Sequence, residues 1–368
     1  IISEFKMNTN RTGVLPSQFL RRMIIQKKIL ANNPIEDDQV QPSSIDLRLG
    51  SNAWRLQASF LPGEENTVKD QLKNMKMHKI DLSKGYIFEK NCVYLVRLQE
   101  ALFLDEEIEA VSNTKSSIGR LDLLTRIITD YGTEFDRIPK AYKGPLYAEI
   151  NPRSFSVLVQ TGIRLNQIRF RRGKVTLSDD ELRGVNNTIG FIENRSIIDG
   201  GVSFSVDLKG DGRNLVGYKA KAHTPLINLS KENYYPISDF WDPIYAGKGK
   251  LILDPGAFYI LVSKEQVTIP PDYAAEMAPY LAVIGEFRVH YAGFFDPGFG
   301  YKTNGGEGAR GVLEVRCYEA PFALKDGQNI GRLIYERMIE SPDILYGLEL
   351  NSNYQGQQLK LSKHFRAS

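Results

Sequence analysis

Two short stretches carry side chains that could act on a phosphorylated substrate. In "SNTKSSIGRLDL", residues 112–123, Lys115, Ser116, Ser117 and Arg120 fall within one turn or two of chain. An ammonium, hydroxyls and the exposed N–H groups of a helix start can together hold phosphate oxygens. The same residues also read as an ordinary cap, a hydroxyl before an apolar run. In "HYAGFFDPGFG", residues 290–300, rings and glycines surround Asp296, which precedes Pro297-Gly298, and Glu314 follows on the next apolar run. Alone, Asp296 reads as part of a plain turn, and a lone glutamate such as Glu314 as a charge on a solvated strand face.

Other chemistries lack their parts. The four histidines (His78, His223, His290, His364) have no ligand spacing, and Cys92 and Cys317 lie far apart. A protein-held zinc needs clustered Cys and His, so hydrolysis here falls to carboxylates. Two distant thiols fit a reducing cytoplasm and no disulfide framework. "NGGEGARG", residues 304–311, lacks the Lys-Ser/Thr of a P-loop and reads as a hairpin tip. A net charge of +3 with 25% charged residues is too balanced for a nucleic-acid or membrane-surface partner. No apolar run approaches the roughly 20 residues that span a bilayer, so a soluble protein is expected. The opening "IISEFK" reads as a remnant of cloning rather than a signal. By composition the tail "NSNYQGQQLKLSKHF" from Asn351 reads as a disordered terminus.

The elements that must position these residues are repeated. With 368 residues and 42% hydrophobic content, two domains are expected. Glu149 opens "EINPRSFSVLVQTGIRLNQIRF" and Glu314 opens "EVRCYEAPFALKDGQNIGRLIY", a displacement of 314 − 149 = 165. At that displacement Val157 meets Phe322, Leu165 meets Ile330 and Phe170 meets Tyr335. A weaker echo pairs "SIDLRLG" from Ser44 with "SVDLKGD" from Ser205, a displacement of 205 − 44 = 161. Short Val-, Ile- and Tyr-rich runs punctuated by Gly, Pro and Asp make each copy mainly β, a barrel or jelly-roll sandwich. Helical signals are confined to "LPSQFLRRMIIQKKIL" near the start and a short run from Ser116 to Leu124. The polar stretch 171–200 carries the crossing, which divides the chain into 7–195 and 196–368.

"QPSSIDLRLG", "TKSSIGRL", "HYAGFFDPGFG", "IGRLIYERM" and "NYQGQ", in that order, resemble the deoxycytidine triphosphate deaminases, relatives of the dUTPases, in their long bacterial form. The likeness runs from about Gly13 to the C-terminus. It implies two tandem dUTPase-like domains and hydrolysis of dCTP to dUTP and ammonia. Mg²⁺ would come with the triphosphate, and no zinc would be used. Lys115 and Ser117 would hold phosphate, and Ser116 and Arg120 would support the catalytic centre. Ala292 would lend its carbonyl, a strand glutamate would serve as base, and the tail would fold over the nucleotide. By this logic Arg120 keeps the glutamate charged, since an opposite charge lowers a carboxyl pKa. The likeness also implies a cytoplasmic homo-oligomer, a trimer by analogy, with dTTP as a candidate inhibitor.

The copies have kept different parts. The first keeps "KSSIGR" but reads "TDYGTEFDRIPKAYKG" where the Asp-Pro-Gly turn belongs; the second keeps that turn but reads "APYLAV" for the phosphate element. Complementary loss suggests a composite site. Lys115, Ser116, Ser117 and Arg120 would come from the first copy; Ala292, Phe294, Asp296 and Glu314, with Tyr354 and Gln357 of the tail, from the second. A site built on Glu149 within the first copy is the rival, because a three-membered ring cannot alternate two kinds of domain evenly. Two other functions stay open. One is a dUTP diphosphatase or bifunctional deaminase-diphosphatase, disfavoured by a tail without a Gly-rich arginine motif. The other is a nucleotide-binding protein without turnover.

Overall fold

The structure is a computed structural model that describes residues 11–193, 196–210, 214–279, 287–290, 293–302, 308–347, 350, 352 and 354–366, with only the backbone at 279 and 287–290. The opening "IISEFK" and much of "NGGEGARG" therefore lie outside the described residues. The repeat governs the architecture. Strands Ile108–Thr114, Lys143–Pro152 and Arg164–Arg172 recur as Tyr273–Pro279, Ala309–Cys317 and Asn329–Arg337. Register recurs as well: Glu149 pairs with Leu95 and Glu314 with Ile260, both partners displaced by 165.

The echo at 161 is corrected. Leu47 of the strand Ile45–Leu56 faces Asn166, and Phe204 of the strand Val202–Ser205 faces Gly331. Since 331 − 166 = 165, Leu47 and Phe204 are equivalent, at a displacement of 204 − 47 = 157. The error is four residues, an even slip, and an even slip leaves inward and outward side chains alternating as before. Pattern could not detect it.

In the first repeat the main sheet runs in the order Leu123–Thr129, Lys143–Pro152, Val93–Phe103, Ile45–Leu56, Arg164–Arg172, Ile108–Thr114, Arg137–Ile138. The second splits into a sheet around Asn329–Arg337 and one around Ala309–Cys317. Both are β-rich, barrel-like layers of the expected class.

Helices depart from expectation in two ways. Ser17–Ile25 forms and buries Phe19, Leu20 and Met23, but the run from Ser116 stops at Gly119. Asp122 takes a left-handed φ of +52°, and the chain leaves as a strand from Leu123. Two further helices, Val68–Met75 and Asp179–Ile189, were not foreseen. Both begin with a reciprocal cap, Thr67 with Asp70 and Ser178 with Glu181, the kind of spacing that announces a helix start. The second lies in the polar crossing. Its Leu182, with Phe191 and Ile192, is buried in the second repeat's core, so residues 179–193 pack with the second repeat although the expected division placed them in the first.

The repeats share a core. Tyr218, Trp241, Phe258 and Phe365 pack in one cluster with Leu47, Val96 and Ile168. Val157–Val159 pairs in parallel with Ile227–Asn228 across the seam. Area removed from water on this scale is the main stabilising term in such a fold. It also fixes the two halves of the seam against each other.

Candidate active site

The single turn Ser116–Gly119 is held at the seam by its neighbours. The Lys115 N–H donates to the Leu165 carbonyl at 2.9 Å, tying the turn to the strand Arg164–Arg172. Ser117, Ile118 and Gly119 are buried. The Lys115 ammonium contacts the carboxylate of buried Asp46, the aspartate of "SIDLRLG". Lys115, Ser116, Ser117 and Arg120 all line a cavity of about 310 Å³.

Across that cavity stands the second repeat. Phe294, Asp296, Val312 and Glu314 line it, together with Tyr354 and Gln357 of the tail. Asp296 begins a turn in which the Phe299 N–H donates to its carbonyl at 3.1 Å. Pro297 supplies the fixed φ and Gly298, at φ +97°, the left-handed one, a type II arrangement. A side chain at Gly298 would stand 2.7 Å from the Tyr346 carbonyl, so glycine also admits the close approach of the segment at Leu345 and Tyr346. The Asp296 carboxylate accepts from Ser43 and lies 3.5 Å from Arg169. Burial nevertheless raises its pKa, outweighing the arginine.

Glu314 is 4% exposed, and its Oε2 is buried without a hydrogen-bond partner among the described residues. Burial drives its pKa well above the usual carboxylate range; Arg120 opposes that shift and Asp122 adds to it. The expectation that Arg120 keeps the glutamate charged is corrected here. The arginine acts in the foreseen direction, but desolvation wins because the carboxyl lies beyond solvent's reach.

Residues 354–366 of the tail pack against both repeats, contrary to what their composition suggests. The Arg120 guanidinium lies 3.8 Å from the Tyr354 ring centroid and donates to the Gln357 Oε1 at 2.9 Å and the Lys360 carbonyl at 3.0 Å. Gln357 in turn donates to the Arg310 carbonyl at 3.0 Å. Ser362 donates to the Ser117 carbonyl at 2.6 Å, and Phe365 enters the shared core. Polar composition misled because the partners lie elsewhere in the sequence.

Glu149 sits apart. Its two carboxylate oxygens are taken by Ser59 and Arg126, and Arg126 is stacked 3.5 Å from the Phe135 ring centroid. Leu56, Phe60, Val68, Leu72 and Tyr147 form a separate buried hydrophobic cluster, with Phe135 packed against it. Thus the structure gathers Lys115, Ser116, Ser117, Arg120, Phe294, Asp296, Glu314, Tyr354 and Gln357 around one cavity and leaves Glu149 outside its lining. Ala292 lies outside the described residues. Sequence reasoning missed Arg164 and Lys363, which also line the cavity, and fully buried Arg169 behind it. A basic residue opening a β run carried a weak signal for Arg164. Nothing local marked the other two.

Residues 11–174 match the N-terminal domain family of 2′-deoxycytidine 5′-triphosphate deaminase, and residues 178–365 match the C-terminal domain family. The chain is similar to the dCTP deaminase of Natronomonas pharaonis, 31% identical over 160 residues that make up 42% of this chain and 74% of that protein. It is also similar to the "dCTP deaminase, dUMP-forming" of Coprothermobacter proteolyticus, 26% identical over 155 residues, 42% of this chain and 80% of that one. The solved structure of 2′-deoxycytidine 5′-triphosphate deaminase from Agrobacterium tumefaciens matches with a TM-score of 0.86 and 49% identity, covering 89% of this chain and 100% of that one.

Proposed function

The chain belongs to the 2′-deoxycytidine 5′-triphosphate deaminase family, and from that premise we propose that the cavity at the seam hydrolyses dCTP to dUTP and ammonia with Glu314 as proton carrier. The observation that supports this is one relationship: Glu314, with a buried carboxylate oxygen that lacks a partner among the described residues, lines the same cavity as a lysine, two serines and an arginine.

The chemistry follows from those groups. Water adds to C4 of the cytosine while ionised Glu314 accepts its proton. That proton moves to N3; the carboxylate then takes the proton of the new C4 hydroxyl and passes it to the amine, which leaves as ammonia as the C4–N bond breaks and C4=O forms, so one carboxylate serves both transfers. A raised proton affinity suits this task, because the carboxyl must take a proton from water and hold it near neutral pH. Ser116 and Arg120 support the reacting centre, and Lys115 and Ser117 bind phosphate. The Ala292 carbonyl orients the water, Asp296 and Phe294 border the sugar and base, and Tyr354 and Gln357 exclude solvent. Glu149 is structural in this reading.

Mg²⁺ would come with the nucleotide and offset phosphate charge, with Lys115 and Ser117 holding the phosphates that carry it. Among the described residues no group of three His, Cys, Asp or Glu side chains is placed to hold a metal ion. The carboxylates nearest the phosphate element, Asp46 and Asp38, already contact Lys115 and Arg164. Deamination without zinc belongs to the same proposal. Stripping zinc with a chelator leaves turnover intact, whereas lowering free Mg²⁺ raises the KM for dCTP.

A homo-oligomer, a trimer by family likeness, belongs to the same proposal; sedimentation of the active protein tests it. A reducing compartment such as the cytoplasm belongs to the same proposal, in keeping with two cysteines far apart in the chain. No helix among the described residues is long and apolar enough to cross a membrane. dTTP shares the deoxyribose and triphosphate of the substrate and would compete for the cavity.

Incubation with dCTP and analysis of the products is the decisive experiment. dUTP with ammonia supports the reading. The name of the Coprothermobacter relative favours a second outcome, dUMP with pyrophosphate and ammonia. Binding without product overturns both.

A further inference from the structure

Arg164 opens the strand Arg164–Arg172 and lines the cavity. The backbone fixes it beside the phosphate element: Thr114 pairs with Asn166, and the Lys115 N–H bonds the Leu165 carbonyl. Lys115 and Arg164 both line the cavity, and both bear on Asp38, which Arg164 contacts directly.

These cations are engaged unequally. Lys115 contacts an aspartate whose side chain is 3% exposed, and Arg120 is bonded to the tail. Arg164 is only 19% exposed, but its partners Glu36 and Asp38 are 61% and 73% exposed, the latter at 2.8 Å. Pairs to exposed carboxylates are weak because water and salt screen them. They can hold the planar guanidinium at the cavity and release it at little cost to a phosphate, which takes two of its N–H groups at once. At the equivalent position in the second repeat, 164 + 165 = 329, the residue is Asn329, so this cation belongs to the repeat that kept the phosphate element.

We propose, resting on deamination in this cavity, that Arg164 binds the terminal phosphate and makes the site select a nucleoside triphosphate over the diphosphate. It is a specificity residue whose partners in the structure are Glu36 and Asp38.

Steady-state kinetics with dCTP and dCDP test this for the wild type, Arg164→Gln, Arg164→Lys and the double variant Glu36→Gln/Asp38→Asn. Arg164→Gln is expected to lose roughly tenfold to a hundredfold in kcat/KM for dCTP, carried by KM, and about threefold or less for dCDP. Arg164→Lys recovers part of the preference. The double variant frees the guanidinium and lowers the KM for dCTP. Equal losses on both nucleotides, or an unchanged or raised KM in the double variant, overturn the inference while leaving the deaminase reading in place. Failure of the wild type to deaminate either nucleotide overturns that reading itself. If Arg164 only tied its strand to the turn at Glu36, its loss would lower the melting temperature and weaken both nucleotides alike.

Discussion

Arg169 and Phe294 meet across the seam, the guanidinium carbon of one repeat lying 4.1 Å from the ring centroid of the other. The same arginine, with no exposed surface, donates to the Ala275 carbonyl and the Glu336 carboxylate at 3.0 Å and to Ser43 at 2.9 Å. It thus holds the strand behind the Asp-Pro-Gly turn from the opposite repeat. Truncating one member of a buried ion pair leaves an uncompensated charge. Arg169→Met is therefore expected to cost about 3–5 kcal/mol in denaturant unfolding. A loss below about 1 kcal/mol would show that the pair is not what joins the repeats.

The two equivalent glutamates separate by substitution. Glu314→Gln removes the proton carrier and should lower kcat by about 10²–10⁴-fold. Glu149→Gln should keep ammonia release within a few-fold of wild type, because its carboxylate lies outside the cavity lining. If only the second change abolishes release, the composite site is wrong.

Acidity provides an independent check. Burial raises the pKa of Glu314, so kcat/KM should rise with pH through a limb above the usual carboxylate range. Arg120 opposes the shift, and Arg120→Gln should move that limb further towards alkaline pH.

Stability should show the same group with the opposite pH trend. A carboxyl whose pKa is raised on folding contributes fully below its unfolded value, and the contribution is lost as pH rises through the folded value. Glu314→Gln should therefore gain in melting temperature over wild type at pH 8 relative to pH 5. A gain that is equal at both pH values would mean that the folded pKa is ordinary.

The tail offers a prediction about binding. Tyr354→Ala removes the ring stacked on Arg120, a contact of about 0.5–2 kcal/mol. The KM for dCTP should rise by roughly twofold to thirtyfold, and the melting temperature should fall as well, because the ring is buried in the second repeat's core. An unaltered KM would show that the tail covers nothing that matters to the nucleotide.

What could be read from the sequence was what local pattern encodes. The 165-residue displacement appears in the strand pairings, and the residues named from the complementary loss of motifs, Ala292 aside, line one cavity. The four-residue misplacement of the opening strand was invisible because an even slip keeps its faces. The balance at Glu314 was misjudged because charge can be counted in a sequence, whereas burial depends on which distant segments cover the group. Arg169 was hidden for the same reason: its partners, Ala275, Glu336 and Phe294, are more than a hundred residues away.

The shared core bears on how this chain arose. Trp241, Phe258 and Phe365 bury themselves among side chains of the other repeat. Separated at the crossing, each fragment would present a bare oily face to water and aggregate rather than fold. Once a duplicated gene had joined its copies in this way, each was free to discard the half of the machinery its twin retained, and neither could return to solitary life.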